Sequence, residues 1–259
     1  MSTLISSETL TPLDQYMTTY GVPSKYKSSL DEASKYEHIV VFDDRSSTIQ
    51  GESRVTLMGT AKKIMEFAFL SNSEISVYFF NNLEVKTFTS FEGFSADLTE
   101  RTPSDAMPLL ETLDRVLEQR TSNPTEKKVI VTVLTAGLLD AGVEAIAKWF
   151  ADHIAVDGAY FEKAAFSFQP HVSMDLSSYK ESLEGLEGVH VSIIGTYEQE
   201  KEKAEAHKVE GSDFEYTEGE DLVKRLTDAM KKEADVLEVD AIQVQEENKK
   251  PIAACCIVS

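Results

Sequence analysis

His38-Ile39-Val40-Val41-Phe42-Asp43-Asp44-Arg45-Ser46-Ser47-Thr48 is the stretch on which the fold turns. Its first five residues form a continuous run rich in β-branched and aromatic side chains, with no polar alternation. Such a run suits a strand covered on both faces, as in a parallel sheet. Two acids end it, and a polar turn follows. Working outward, Gly51–Leu70 carries apolar residues at helical spacing (Leu57, Ala61, Ile64, Met65, Ala68), and Ile75–Phe80 reads as a second strand ended by Asn81-Asn82. Val85–Phe88 alternates as a short strand, Met107–Leu117 is helical, and Val129–Leu134 is the most strand-like run in the chain. Val143–Phe150 is helical, Ala164–Phe168 and Val189–Ile194 supply two more strands, and Asp221–Met230 closes the series as a helix. Strands alternating with helices predict a three-layer, doubly wound α/β fold with a mostly parallel sheet. In such sheets ligands bind beyond the carboxyl ends of the strands. That rule draws attention to the loops after Phe42, near Thr102 and after Leu134.

The 259 residues suit one domain with flanking segments: an N-terminal extension over 1–36 with a short helix near Pro23–Ala33, the α/β domain over 37–235, and a flexible tail over 236–259. With 45 acidic against 25 basic residues, the net charge is −20. That balance opposes nucleic acid as a partner and opposes direct electrostatic docking on an anionic membrane leaflet. The two cysteines, Cys255 and Cys256, stand side by side and offer no disulfide framework. Ser2 excludes N-myristoylation, which needs glycine at that position. The N-terminus lacks the pattern of a signal peptide, and the sequence contains no long apolar run, so a cytoplasmic location is expected. Glu198–Asp221 is strongly charged and reads as a solvated helix or surface loop.

From Asp44 the loop reads D-x-S-x-T. A carboxylate at a strand end with hydroxyls two and four residues on can gather oxygens for a hard cation. The same spacing also serves an Asx or Ser/Thr turn that caps the next helix. The ordered set of segments resembles the von Willebrand factor A domain, and in particular the intracellular A-domain proteins of fungi. The resemblance is carried by Asp44-Arg45-Ser46-Ser47-Thr48 after the first strand, Val77-Tyr78-Phe79-Phe80-Asn81, Thr102-Pro103-Ser104 ahead of Leu109 and Leu110, Leu134-Thr135-Ala136-Gly137, and Ile193-Ile194-Gly195-Thr196-Tyr197. It spans roughly residues 37–235.

The resemblance implies a metal-ion-dependent adhesion site in which Asp44, Ser46, Thr48 and Thr102 reach Mg²⁺ or Mn²⁺. A partner's Glu or Asp would then fill the open coordination position. Asp43 is the alternative first acid, but that register would place Arg45 where a hydroxyl belongs. Two departures weaken the site: Arg45 replaces an acid or small residue, and Ala136 stands where the family has Asp. Asp140, or Asp105 after Thr102, is the carboxylate nearest in sequence that could substitute.

The chain closes on Cys256-Ile257-Val258-Ser259, which fits C-a-a-X with a terminal residue that favours farnesyl; Cys255 is then a site for palmitoylation. A single lipid gives marginal membrane binding, so the second acylation matters in a chain without a polybasic run. The five histidines show no zinc spacing, no Walker A or G-x-G-x-x-G sequence is present, and no acid lies two residues beyond Asp43 or Asp44 as aspartate-based phosphatases require. The expectation is a non-enzymatic protein-interaction module, held by lipid on the cytosolic face of a membrane. A metal-dependent hydrolase using the Asp44 loop and a scaffold that binds no metal are the alternatives.

Overall fold

The computed structural model describes residues 10–45, 53–102, 108–122, 125–136, 142–171, 175–208 and 215–231. Among these residues six strands form one sheet: β1 (Glu37–Phe42), β2 (Ile75–Phe79), β3 (Asn82–Phe88), β4 (Val129–Thr135), β5 (Ala164–Pro170) and β6 (His190–Ile193). Their order across the sheet is β3-β2-β1-β4-β5-β6. Among the described strands only β3 runs antiparallel, joined to β2 by a tight turn that pairs Phe79 with Asn82. The remaining neighbours pair in parallel, with Phe42 level with Phe79 on one side and Leu134 on the other. The mostly parallel α/β architecture expected from the strand and helix spacing is thus the one observed.

The both-faces-buried reading of β1 holds residue by residue. Val40 and Phe42 enter one core with Leu57, Ile64, Met65, Phe67 and Phe94. Ile39 and Val41 enter the other with Leu113, Val116, Phe150, Phe166 and Phe168. Each fully buried large apolar side chain contributes about 1.5–3 kcal/mol relative to exposure, so these two layers supply the main drive to fold.

The first layer is covered by α1 (Pro12–Thr19), α2 (Lys27–Ala33), α3 (Ser53–Ala68), α4 (Phe91–Glu100) and α9 (Glu218–Thr227). The second is covered by α5 (Leu109–Ser122), α6 (Val143–Phe161) and α7 (Ser177–Leu183). The short helix α8 (Tyr197–Ala206) follows β6.

Residues 12–33 carry more structure than an extension requires. Tyr16, Met17, Leu30 and Ala33 are buried in the first core. Thr11 and Asp14 form a capping box around Pro12, which starts α1 where its missing N–H costs nothing. The turn after α1 passes through Gly21 at φ +63° and lies against α9, where a Cβ on Gly219 would overlap the Gly21 carbonyl oxygen. Lys25 and Tyr26 both reach the Glu220 carboxylate, at 3.0 and 3.2 Å. The tail over 236–259, with Cys255 and Cys256, lies outside the described residues.

Candidate functional site at the carboxyl edge of the sheet

The chain leaves β1 for β2 on one side and returns for β4 on the other, so the strand order reverses between β1 and β4. In doubly wound sheets this reversal opens a crevice at the carboxyl ends where ligands sit. Here Asp43 and Thr135 flank it. The Asp43 N–H donates to the Leu134 carbonyl at 2.9 Å, continuing the β1–β4 ladder by one residue and turning the carboxylate toward β4. Thr135 Oγ1 donates to Asp43 Oδ2 at 2.7 Å, and the Ala136 N–H donates to the same oxygen at 3.3 Å. Arg45 then folds back: Nε meets Asp43 Oδ1 at 2.9 Å and Nη2 meets Oδ2 at 2.8 Å. Asp43 is fully buried and Arg45 nearly so. Burial pushes the Asp43 carboxyl up, but the Arg45 and Thr135 hydrogen bonds outweigh it and hold it below the usual carboxylate range.

Asp44 faces the other way, toward β2. The tight β2–β3 turn sets Asn81 over the end of β1, where its backbone N–H and Nδ2 both donate to Asp44 Oδ1, at 2.9 and 3.1 Å. Arg101, at the end of α4, brings Nη1 to 3.5 Å from Asp44 Oδ2. Two bonds of 2.8 and 2.7 Å to Asp97 Oδ2 hold that guanidinium, which lies over the Phe79 ring at 3.3 Å from its centroid. Burial nevertheless lifts the Asp44 carboxyl above its ordinary value, the Asn81 bonds and Arg101 offsetting only part of that cost. A third guanidinium, Arg115 from α5, donates to the Phe79 carbonyl and the Thr112 hydroxyl, both at 2.8 Å, and to the Asn82 carbonyl.

Of the residues expected to hold a cation, the structure therefore places Asp44 at the right edge and Thr102 nearby in an exposed position. Ser46, Thr48 and Asp140, with Asp105, lie outside the described residues. Among the described residues the donor set does not fit a divalent cation. Both Asp43 oxygens and Asp44 Oδ1 already accept protein hydrogen bonds, two guanidinium charges stand beside the two carboxylates, and Ala136 offers an N–H instead of an oxygen. No group of three or more His, Cys, Asp or Glu side chains converges as a metal set among the described residues.

Sequence reasoning marked Arg45 as a departure but missed what it does. It also missed Arg101, although that residue directly precedes Thr102. His171 is a third omission. It follows β5 at this same edge, its backbone N–H donating to the Thr135 carbonyl at 2.7 Å, and both ring nitrogens are buried without a partner among the described residues. Burial, and secondarily the Arg225 charge, pushes its ring down to about 3, so it is neutral at physiological pH. Arg225 itself crosses from α9 to the ends of β5 and β6, bonding Asp221 at 2.7 Å, Gln169 at 3.3 Å and the Gly195 carbonyl at 2.8 Å.

No family model matches the chain, and no curated protein does. Among solved structures it is similar to proximal thread matrix protein 1 from the mussel byssus, at 17% identity and a TM-score of 0.46. The alignment covers 76% of this chain and 47% of that one, so this chain spans about half the length of that protein. Among the described residues no helix is long and apolar enough to cross a membrane.

Proposed function

We propose that the chain is a non-enzymatic protein-interaction module of the von Willebrand A type, one that engages its partner without a divalent cation. The observation that carries this reading is the Arg45 guanidinium on Asp43. An A-domain adhesion site exposes the positive charge of a metal to a partner's carboxylate. Here a positive charge at the strand-order reversal between β1 and β4 belongs to the protein. The strand order and the single antiparallel strand β3 support the family assignment. The engagement of Asp43 and Asp44 by protein donors argues against either as a nucleophile or metal-bound base. Cys256 carries a farnesyl group and Cys255 a palmitoyl group in this proposal, which together offset the repulsion of a −20 chain from the cytosolic leaflet.

The test is a thermal-shift and calorimetric titration with Mg²⁺ and Mn²⁺, run on the native protein and on Asp44→Ala. A flat response in both is expected. A cation response lost in Asp44→Ala would return the site to metal-dependent adhesion, and phosphoester turnover lost in the same variant would make the protein a hydrolase. Mass spectrometry of protein made in a eukaryotic cell is expected to show a processed, farnesylated Cys256; a terminus still ending in unmodified Ser259 would remove the anchor.

A further inference from the structure

At the opposite, amino edge of the sheet lies a cavity of about 400 Å³. It opens between the end of α5, the start of β4 and the end of α6. That volume falls in the range of small-molecule sites. Its polar lining is unlike the rest of this acidic chain: Arg120, Lys127 and Lys163 meet there with the hydroxyls of Thr125 and Tyr160 and one carboxylate, Asp157.

The local geometry leaves these donors underused. The helix α6 breaks at Asp157, whose backbone turns to φ −139° and ψ 61°. The Asp157 carboxylate caps the final turn by accepting from the Tyr160 N–H at 3.3 Å, and Tyr160 is thereby set against the cavity. The Tyr160 hydroxyl is buried and finds no hydrogen-bond partner among the described residues. A buried hydroxyl without a partner carries a desolvation cost that a bound acceptor would remove. Arg120 commits Nη1 to Glu37 at 2.8 Å, and no other bond engages its remaining donors among the described residues. Lys163 pairs at 3.1 Å with Glu126, whose side chain is 98% exposed, so solvent screens that attraction. Lys127 has no ion-pair partner among the described residues, although like the others it lines the cavity.

We infer that this cavity binds a small soluble phosphomonoester. The phosphate oxygens would take the three cations and the Tyr160 hydroxyl, and a hydroxyl or amine on the ligand body would meet Asp157. A guanidinium, two ammonium groups and a neutral O–H suit an acceptor with several oxygens and more than one charge. A single carboxylate would leave most of these donors unmatched. The cavity also exceeds what an inorganic ion fills, which is the reason for assigning an ester and not free phosphate. The site lies at the far end of the sheet from Asp43, so it stands whether or not the carboxyl edge is an adhesion surface.

Isothermal titration calorimetry of the full chain at low salt, with AMP, inorganic phosphate and adenosine as probes, tests this. AMP is expected to bind more tightly than inorganic phosphate, and adenosine not at all. Lys127 is exposed, so Lys127→Glu should leave the melting temperature unchanged while weakening AMP about tenfold or more. Tyr160→Phe should weaken it by a smaller factor with the fold intact. Absence of heat with both phosphate probes would overturn the inference, as would equal AMP binding in the native chain and both variants. Flotation with vesicles carrying phosphatidylinositol phosphate, in the absence of any AMP binding, would also overturn it, by assigning the phosphate to a lipid headgroup.

Discussion

Arg45 clasps Asp43 through two parallel bonds, Nε to Oδ1 at 2.9 Å and Nη2 to Oδ2 at 2.8 Å, two residues apart in sequence and largely shielded from solvent. Buried ion pairs of this sort contribute little beyond an apolar replacement, but breaking one leaves a charge stranded in a poor solvent. Arg45→Ala is therefore expected to cost about 3–5 kcal/mol in urea unfolding. Adding Asp43→Asn to that variant should recover part of the loss, because the remaining group is then neutral. Additive effects of the two substitutions would show that the pair is not coupled.

The same pair predicts how cation binding could be gained. Arg45→Ser with Ala136→Asp removes the guanidinium and adds a carboxylate beside Asp43 and Asp44. This double variant is expected to melt at lower temperature than the native chain and to regain stability as Mg²⁺ or Mn²⁺ is added, since a ligand that binds only the folded state stabilises it by mass action. On the proposed cation-independent function, the native chain should show no such rise.

Gly219 is expected to tolerate no side chain. Its Cα lies against the Gly21–Val22 backbone, and the obstacle is main chain on both sides, which cannot rotate away. Gly219→Ala should destabilise by about 1–3 kcal/mol despite its better helix propensity. Gly59→Ala, in the same type of helical setting but with open space around it, should be neutral or slightly stabilising.

Two buried histidines set the acid limb of stability. Burial pushes His38 down to about 4 and His171 to about 3. Above the ordinary histidine value of 6.5, folded and unfolded chains are both neutral and nothing is gained or lost. Below it the unfolded chain takes up protons that the folded one refuses. Stability then falls as pH drops, by up to about 1.4 kcal/mol per pH unit for each ring. The fall should begin near pH 6, before the lowered carboxyls of Asp43 and Glu200 add to it at still lower pH. Asp44, pushed up, acts in the opposite direction. His171→Leu is expected to flatten this limb in urea melts from pH 6 to about 4.5 while costing little at pH 7, because the ring makes no hydrogen bond among the described residues.

Phe94 anchors α4, and with it Arg101, to the sheet. Its ring lies within 5.1–6.1 Å of Phe42, Phe79, Phe88 and Phe91. Phe94→Ala should cost about 3–5 kcal/mol and loosen the Arg101 contact to Asp44, visible as faster amide exchange at Asn81.

The strands were legible because their signal is local and strong. Four apolar residues in a row at 39–42 and a run at 129–134 broken only by Thr132 leave few alternatives, and both are central strands. The helices α1, α4 and α7 escaped notice because each buries only two side chains, such as Phe94 and Leu98 in α4, too few to show a period. Glu198–Asp221, read as a solvated helix or surface loop, begins as the helix α8, yet Glu200 within it is buried, bonded to the Gly195 N–H at 3.0 Å and to Lys203 at 3.0 Å. At the candidate site the sequence located the edge and the acids. Which acid faced which strand depended on one further residue of β1–β4 pairing, and the arrival of Arg101 depended on how α4 packs. Neither is written in the loop itself.

The contact between Gly21 and Gly219 also bears on how the chain is made. The turn after α1 is complete early, but the helix it rests against is encoded about 200 residues later, or roughly 10–40 s of synthesis. Until α9 leaves the ribosome, Leu30 and Ala33 of α2 lack the helix that packs beside them, and the core strand β1 stays open along that flank. Nascent chains stalled before residue 218 should therefore hold their first 33 residues in a protease-sensitive state, and the domain should close as a single late event when its two ends meet.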